Sequence, residues 1–122
     1  MAGIWKDRAK EVRKAAAQTL YKFGDKPTVH SAYRTLVDDE DDEVRVLAAL
    51  RWARVGSSEA LPHLVKHLES RFRWDRQQAL AELVKRTADD FGFSAHGTPD
   101  TRRNREAIQK FRDWADRQPA AK

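Results

Sequence analysis

Cysteine is absent from the 122 residues, which removes disulfide frameworks, thiol nucleophiles and thiolate zinc sites together. Long apolar runs are absent too. No stretch approaches the roughly 20 apolar residues that a bilayer crossing requires, and Met1-Ala2-Gly3-Ile4-Trp5-Lys6 lacks the apolar core of a secretory signal. A cytoplasmic setting with no membrane partner is therefore expected. No segment alternates like a strand. Nucleophile–base pairs and phosphate-cradling glycine loops are also missing, so neither catalysis nor a cofactor is expected.

What the chain does have is 40% apolar residues, 35% charged residues and a net charge of +5, the balance of one soluble domain over residues 1–122. It also repeats itself. A shift of 32 positions lays Glu11-Val12-Arg13 on Glu43-Val44-Arg45, Ala16-Ala17 on Ala48-Ala49, Gly24 on Gly56 and Leu36 on Leu68. A third copy follows one residue out of step, with Arg76, Ala79, Leu80 and Leu83 answering Arg45, Ala48, Ala49 and Trp52. A fixed period in this range signals stacked repeats.

Each copy holds two helical patterns. In the first, Trp5, Ala9, Val12, Ala16, Leu20 and Phe23 recur every three or four residues, which gathers them on one side of a helix. Gly24 and Gly56 fall at matching places just past the last turn, where a positive φ is needed. Asp25-Lys26-Pro27 and Ser57-Ser58-Glu59 then supply start signals for the second helix. That helix buries Val29, Ala32, Tyr33 and Leu36 in one copy and Leu61, Leu64, Val65 and Leu68 in the next. The spacing predicts helices near 3–23, 26–37, 42–55, 58–70, 74–88 and 98–117, the last opened by Thr98-Pro99-Asp100. Six helices joined mostly by short turns make an all-α solenoid of about three hairpins, with repeats near 3–37, 42–70 and 74–117. Ile108, Phe111, Trp114 and Ala115 give the last helix the stripe of a terminal cap. The first helix has no preceding partner, which suits the C-terminal part of a longer array as well as it suits a natural start at Met1.

The acidic turn, Val-Arg, Ala-Ala, a large apolar residue, Gly, and then Ala-Leu-Pro and Leu resemble the HEAT-repeat superfamily, particularly short bacterial repeats of the phycobilisome-lyase type. Here the pattern reads Asp41-Asp42-Glu43-Val44-Arg45, Ala48-Ala49, Trp52, Gly56, Ala60-Leu61-Pro62 and Leu68. The resemblance implies that each repeated arginine pairs with an acid six residues upstream. Asp7/Arg13 and Asp39/Arg45 fit, whereas Ser70 before Arg76 predicts a break in that ladder. It also implies that the Val-Arg helices line a concave, ligand-facing side.

Several side chains invite chemistry. The run from Asp38 to Glu43 lacks the spacing and central glycine of a calcium loop and is better read as acids favoured by a helix N-terminus. His63 and His67 stand four apart, a spacing that suits a metal, but no third ligand is apparent and they are expected to be solvated. His30 and His96 show no partner and are expected at the surface. Trp52 and Trp114 are expected in the core. Trp74 is expected to act as a hydrophobic staple, although Arg71-Phe72-Arg73-Trp74-Asp75 could instead stack on a base or clasp a peptide.

Charge is uneven: residues 1–37 carry a net +5, residues 38–75 −3 and residues 76–122 +3. An outward side of the Val-Arg helices is expected to present Lys14, Gln18, Val46, Leu50, Ala53, Arg54, Gln77, Ala81 and Lys85. Val46 and Leu50 would be its apolar centre, the anatomy of a binding surface. The expected function is a non-catalytic scaffold that binds another protein or a peptide segment there. A second reading is nucleic-acid binding through Lys6, Lys10, Lys14, Arg71, Arg73, Arg102, Arg103 and Arg105. A third, by family analogy alone, is an accessory role related to chromophore lyases.

Overall fold

The computed structural model describes residues 9–119. Among them, six α-helices and no strand are found: α1 Lys10–Thr19, α2 Pro27–Leu36, α3 Asp42–Arg54, α4 Leu61–His67, α5 Arg73–Thr87 and α6 Arg102–Asp116. The expected onset of the first helix near residue 3, with Trp5 in its stripe, lies outside the described residues.

Local chemistry sets most boundaries. Asp41 caps α3 by accepting from Val44 N at 3.1 Å, and Pro27 opens α2 where its missing N–H costs nothing. Gly24 and Gly56 adopt φ of 87° and 99°, the left-handed region that favours glycine. Three boundaries differ from expectation. The last turn of the first helix tightens into a 3₁₀ turn over Leu20–Phe23, and Ser58–Ala60 forms another before α4. The sixth helix starts at Arg102 rather than 98, because Thr101 is the residue that caps it, accepting from Asn104 N at 3.2 Å. Thr98 serves the preceding turn, its carbonyl accepting from Asn104 Nδ2 at 2.9 Å.

The helices form two layers. In one, α1 packs on α3 and α3 on α5; in the other, α4 packs on α6, while α2 and α4 both back α3. The central helix is therefore covered on all sides, and Val44, Val46, Leu47, Ala48, Ala49, Leu50, Trp52 and Ala53 are all buried. This corrects the expectation of an exposed apolar centre at Val46 and Leu50. A middle repeat has neighbours before and behind it, and an all-round apolar helix is a buried one.

The aromatic centre of the stack is Trp52. Its indole N–H donates to His30 Nδ1 at 2.9 Å, and Tyr33 and His63 lie against its ring at 6.5 and 6.1 Å between centroids. The Tyr33 hydroxyl donates to the Ala17 carbonyl at 3.0 Å and accepts from Tyr21 N at 2.8 Å. Burial pushes its pKa up to about 12.

The arginines do form a ladder, built differently from the expected one. Arg45 Nη1 donates to the Asp39 backbone carbonyl at 2.7 Å, and Arg76 Nη1 to the Ser70 carbonyl at 2.8 Å. Every residue has a carbonyl, so Ser70 does not break the series. The Asp39 carboxylate is taken instead by Arg13 of the preceding repeat, at 2.8 and 3.3 Å. Arg76 reaches onward in the same way, donating from Nε and Nη2 to the Ala95 carbonyl at 3.2 and 3.0 Å. Asp7, expected to pair with Arg13, lies outside the described residues.

Leu50→Ala is expected to cost about 2–5 kcal/mol, the loss typical of a cavity in a packed core. Val46→Asp is expected to abolish cooperative unfolding, because it buries a carboxylate with no partner. Gln18→Ala, on an exposed residue, should stay within about 0.5 kcal/mol of the parent. Urea denaturation followed by circular dichroism checks all three, and a Leu50→Ala loss near zero would contradict the burial of α3.

Candidate functional site

Of the residues expected on the binding surface, Val46, Leu50 and Ala53 are core. Lys14 is half-buried and its ammonium meets Glu43 at 2.9 Å. Gln18 is exposed, and the Arg54 guanidinium lies over the Tyr21 ring at 5.3 Å. Gln77, Ala81 and Lys85 are exposed and are brought together with the segment that follows α5.

These three recur every four residues and so form one stripe of α5. Opposite them runs the loop 88–97, and the two enclose a groove of about 950 Å³. Leu80 and Val84 are half-buried along its side, while Phe93 and Ala95 are buried at its base. The loop is held by specific bonds. Ala88 ends α5 in the left-handed conformation, φ 59°, and Asp89 and Asp90 carboxylates accept from Phe91 N and Gly92 N, both at 2.8 Å. Asn104 of α6 clamps Ser94 from both directions, accepting from its N–H at 2.8 Å and donating to its carbonyl at 3.0 Å. Phe91 meets Phe111 edge-on at 4.8 Å. The rim carries both signs, with Lys85 and Arg103 against Asp89 and Asp90.

The basic residues of the nucleic-acid reading do not form a free stripe. Lys10 lies 3.6 Å from Asp41 and 3.8 Å from Glu43, so it and Lys14 share the acidic entry to α3. Arg102 pairs with Glu106 at 3.1 Å, Arg103 donates to the Gly92 carbonyl at 2.5 Å and Arg105 to the Asp100 carbonyl at 2.8 Å. Lys6 lies outside the described residues. Arg71, in the turn before α5, and Arg73, the first residue of that helix, are exposed, with Phe72 and Trp74 46% and 45% exposed. Trp74 is thus no staple: Phe72 takes the N-cap position, and Trp74 falls on the second helical residue, turned outward.

The histidines also differ from expectation. His30 is no free surface residue: it accepts from Trp52 at Nδ1, which leaves its Nε2 to face the Asp25 carboxylate. His63 packs on Trp52, and burial lowers its pKa. His67 is buried, and its pKa is pushed down to about 4 by that burial. Beside His67 stand Asp42, from the first turn of α3, and Asp75, from the first turn of α5. Burial, together with a hydrogen bond to the Asp42 carboxyl, pushes Asp75 up to about 7. Burial works against the Asp42 charge, but the bonds from Asp75 and Arg45 hold its pKa below the usual value. The pair therefore shares one proton. Asp42 and His67 open onto a second groove, of about 670 Å³, whose other walls include Asp41, Glu69 and Lys66.

Two groups were missed from sequence. Phe93 and Ala95 sit in a loop with no period to mark them. Asp75 did carry a signal, since in register it replaces the apolar valine that precedes the repeated arginine at Val12 and Val44.

Residues 1–85 match the family model for HEAT repeats. No curated protein and no solved structure matches the chain.

Asp75 titrates at about 7 when folded against 3.8 when unfolded, so the stability it contributes is full below pH 3.8 and is lost as pH rises through 7. His67 titrates at about 4 against 6.5, so its contribution is full above pH 6.5 and is lost as pH falls through 4. Asp75→Asn keeps a partner for both Ser70 and Asp42 while removing only the first effect. The variant is expected to exceed the parent at pH 8 by about 1–3 kcal/mol, the scale for a poorly compensated buried polar group, and to match it at pH 4. Urea titrations at the two pH values check this, and an equal difference at both would contradict the shared proton.

Proposed function

The chain belongs to the HEAT-repeat family, whose members are generally protein-interaction scaffolds and typically non-catalytic, and from that premise we propose that it holds a partner polypeptide segment in the groove between α5 and the loop 88–97. The observation that carries this reading is the convergence of Gln77, Ala81 and Lys85 on a groove with an apolar base at Phe93 and Ala95. An apolar floor with a polar rim is the usual anatomy of a recognition surface. Ala81 is small, so the centre of the helix side stays open to an apolar side chain. The mixed rim gives a bound backbone both donors and acceptors.

The groove also lies mostly beyond the part that carries the repeat. The match ends at residue 85, whereas the loop and α6 lie outside it. Asn104 and Arg76 fix the loop from α6 and α5 respectively. A pre-formed wall of this kind lowers the ordering cost of binding.

Panning a displayed random-peptide library against the purified chain tests the reading. Enriched peptides are expected to bind Ala81→Trp, which fills the groove, at least about 10-fold more weakly than the parent, a loss of about 1.4 kcal/mol. Helical content should be unchanged. Peptides that bind Ala81→Trp and the parent equally, or a library that yields no binder, would count against it. A gel shift at two salt concentrations tests the nucleic-acid reading alongside, since phosphate contacts weaken steeply with salt; no shift is expected at either.

A further inference from the structure

The buried cluster at the junction of the second and third repeats does not belong to the peptide groove. It breaks the repeat pattern at a core position: where Val44 is fully buried, the corresponding residue of the third copy is Asp75, only 3% exposed. Burying a carboxyl in place of a valine costs free energy unless something compensates it. Ser70 donates to Asp75 Oδ2 at 3.0 Å, which leaves the other carboxyl oxygen without a hydrogen-bond donor among the described residues.

His67 adds the second observation. It is 7% exposed, and neither ring nitrogen makes a hydrogen bond to any described residue. His67 lines the second groove, which leaves its ring open to a ligand arriving there. One of its nitrogens and one oxygen from each of Asp42 and Asp75 all lie within 4.8 Å of one another. Donor atoms around a metal bound at about 2.0–2.2 Å stand roughly 3–4 Å apart, so a small side-chain rotation closes the set.

We propose that Asp42, His67 and Asp75 form a binding site for a divalent d-block cation of the zinc type. Three features argue for that class. One imidazole and two carboxylates are a familiar donor set for zinc and its neighbours, whereas calcium and magnesium prefer oxygen alone. The donors stand on three helices that pack on one another, α3, α4 and α5, so the site is held by rigid elements. The carboxylates are also oriented from outside the set, Asp42 Oδ1 by Arg45 Nη2 at 2.8 Å and Asp75 by Ser70, the kind of support that metal ligands use. Binding would leave a fourth position facing the open groove that Asp42 and His67 line. The cation would then tie the second repeat to the third.

The chelator-stripped chain is titrated with Co²⁺, followed by visible absorption, and with Zn²⁺, followed by calorimetry. One equivalent is expected to bind, with d–d bands of low coordination number and a rise in melting temperature. Asp75→Asn and His67→Gln, shown to be helical by circular dichroism, are expected to weaken binding by about 100-fold or more, since loss of mere supporting groups already costs 10–100-fold. His96→Gln, on an exposed histidine, should bind as the parent does. No binding by the parent, binding that survives Asp75→Asn, binding lost in His96→Gln, or displacement of Co²⁺ by equimolar Ca²⁺ would each overturn the proposal.

Discussion

Helix α3 has almost no side that reaches water, and the remaining elements are placed by that constraint. Its eight buried side chains need cover from more directions than one partner helix provides. A single hairpin would leave the α1 and α5 sides of Val46, Ala49 and Ala53 wet. Apolar burial at about 25 cal/mol per Å² accumulates only when the flanking repeats are both in place, which is why the unit of stability in such a stack is the interface between hairpins. Trp52 carries the same logic into polar chemistry, because its indole N–H reaches across to α2 of the preceding repeat and is satisfied there by His30.

Arginine extends the constraint along the stack. Arg13 and Arg76 each reach forward along the chain, Arg13 to the Asp39 carboxylate before α3 and Arg76 to the Ala95 carbonyl in the loop after α5, while Arg45 and Arg76 each hold the carbonyl six residues behind. A planar guanidinium with five donors can serve both directions at once, which a lysine cannot. The carbonyl contact tolerates a change of side chain, and Ser70 in place of Asp39 is such a change. What the substitution removes is the forward-facing carboxylate. Arg45 accordingly turns its second bond to Asp42 within its own helix, and that choice places a carboxylate at the mouth of the buried cluster.

Period and the two positive-φ glycines were legible because they are local: they need only the residues within one helix and its turn. Caps were less so, since α6 is capped by Thr101 rather than opened at Thr98 and α2 follows Lys26 without a side-chain cap. The core list of α2 and α4 was legible for the same reason. The burial of Val46 and Leu50 was not, since one amphipathic stripe per helix describes an end repeat and fails for a middle one. Reading Trp74 as a staple failed by three residues of register, because Ser70 and Phe72, rather than Trp74, organise the start of α5. The groove beside α5 was half legible. Gln77, Ala81 and Lys85 follow from helical spacing, whereas Phe93 and Asn104 reach the groove through an aperiodic loop and a cap. The acid–histidine cluster depends on three helices meeting, with 33 positions between Asp42 and Asp75, and no pattern along the chain brings them together.

Departures from repetition are where this molecule gathers its buried polar groups and its groove. A repeat of Val-Arg and Ala-Ala gives a stack and nothing more, because each position is answered by the same position one unit on. The third copy slips by one residue, exchanges an acid for Ser70 and a valine for Asp75, and continues into the loop 88–97 rather than a tight turn. The slip and the two exchanges concentrate buried polarity at the α3–α4–α5 junction. The loop, pinned by Arg76 and Asn104, opens a groove on the other side of the same helix. Helix α5 thus presents its first turn to the cluster and its Gln77–Lys85 stripe to the groove.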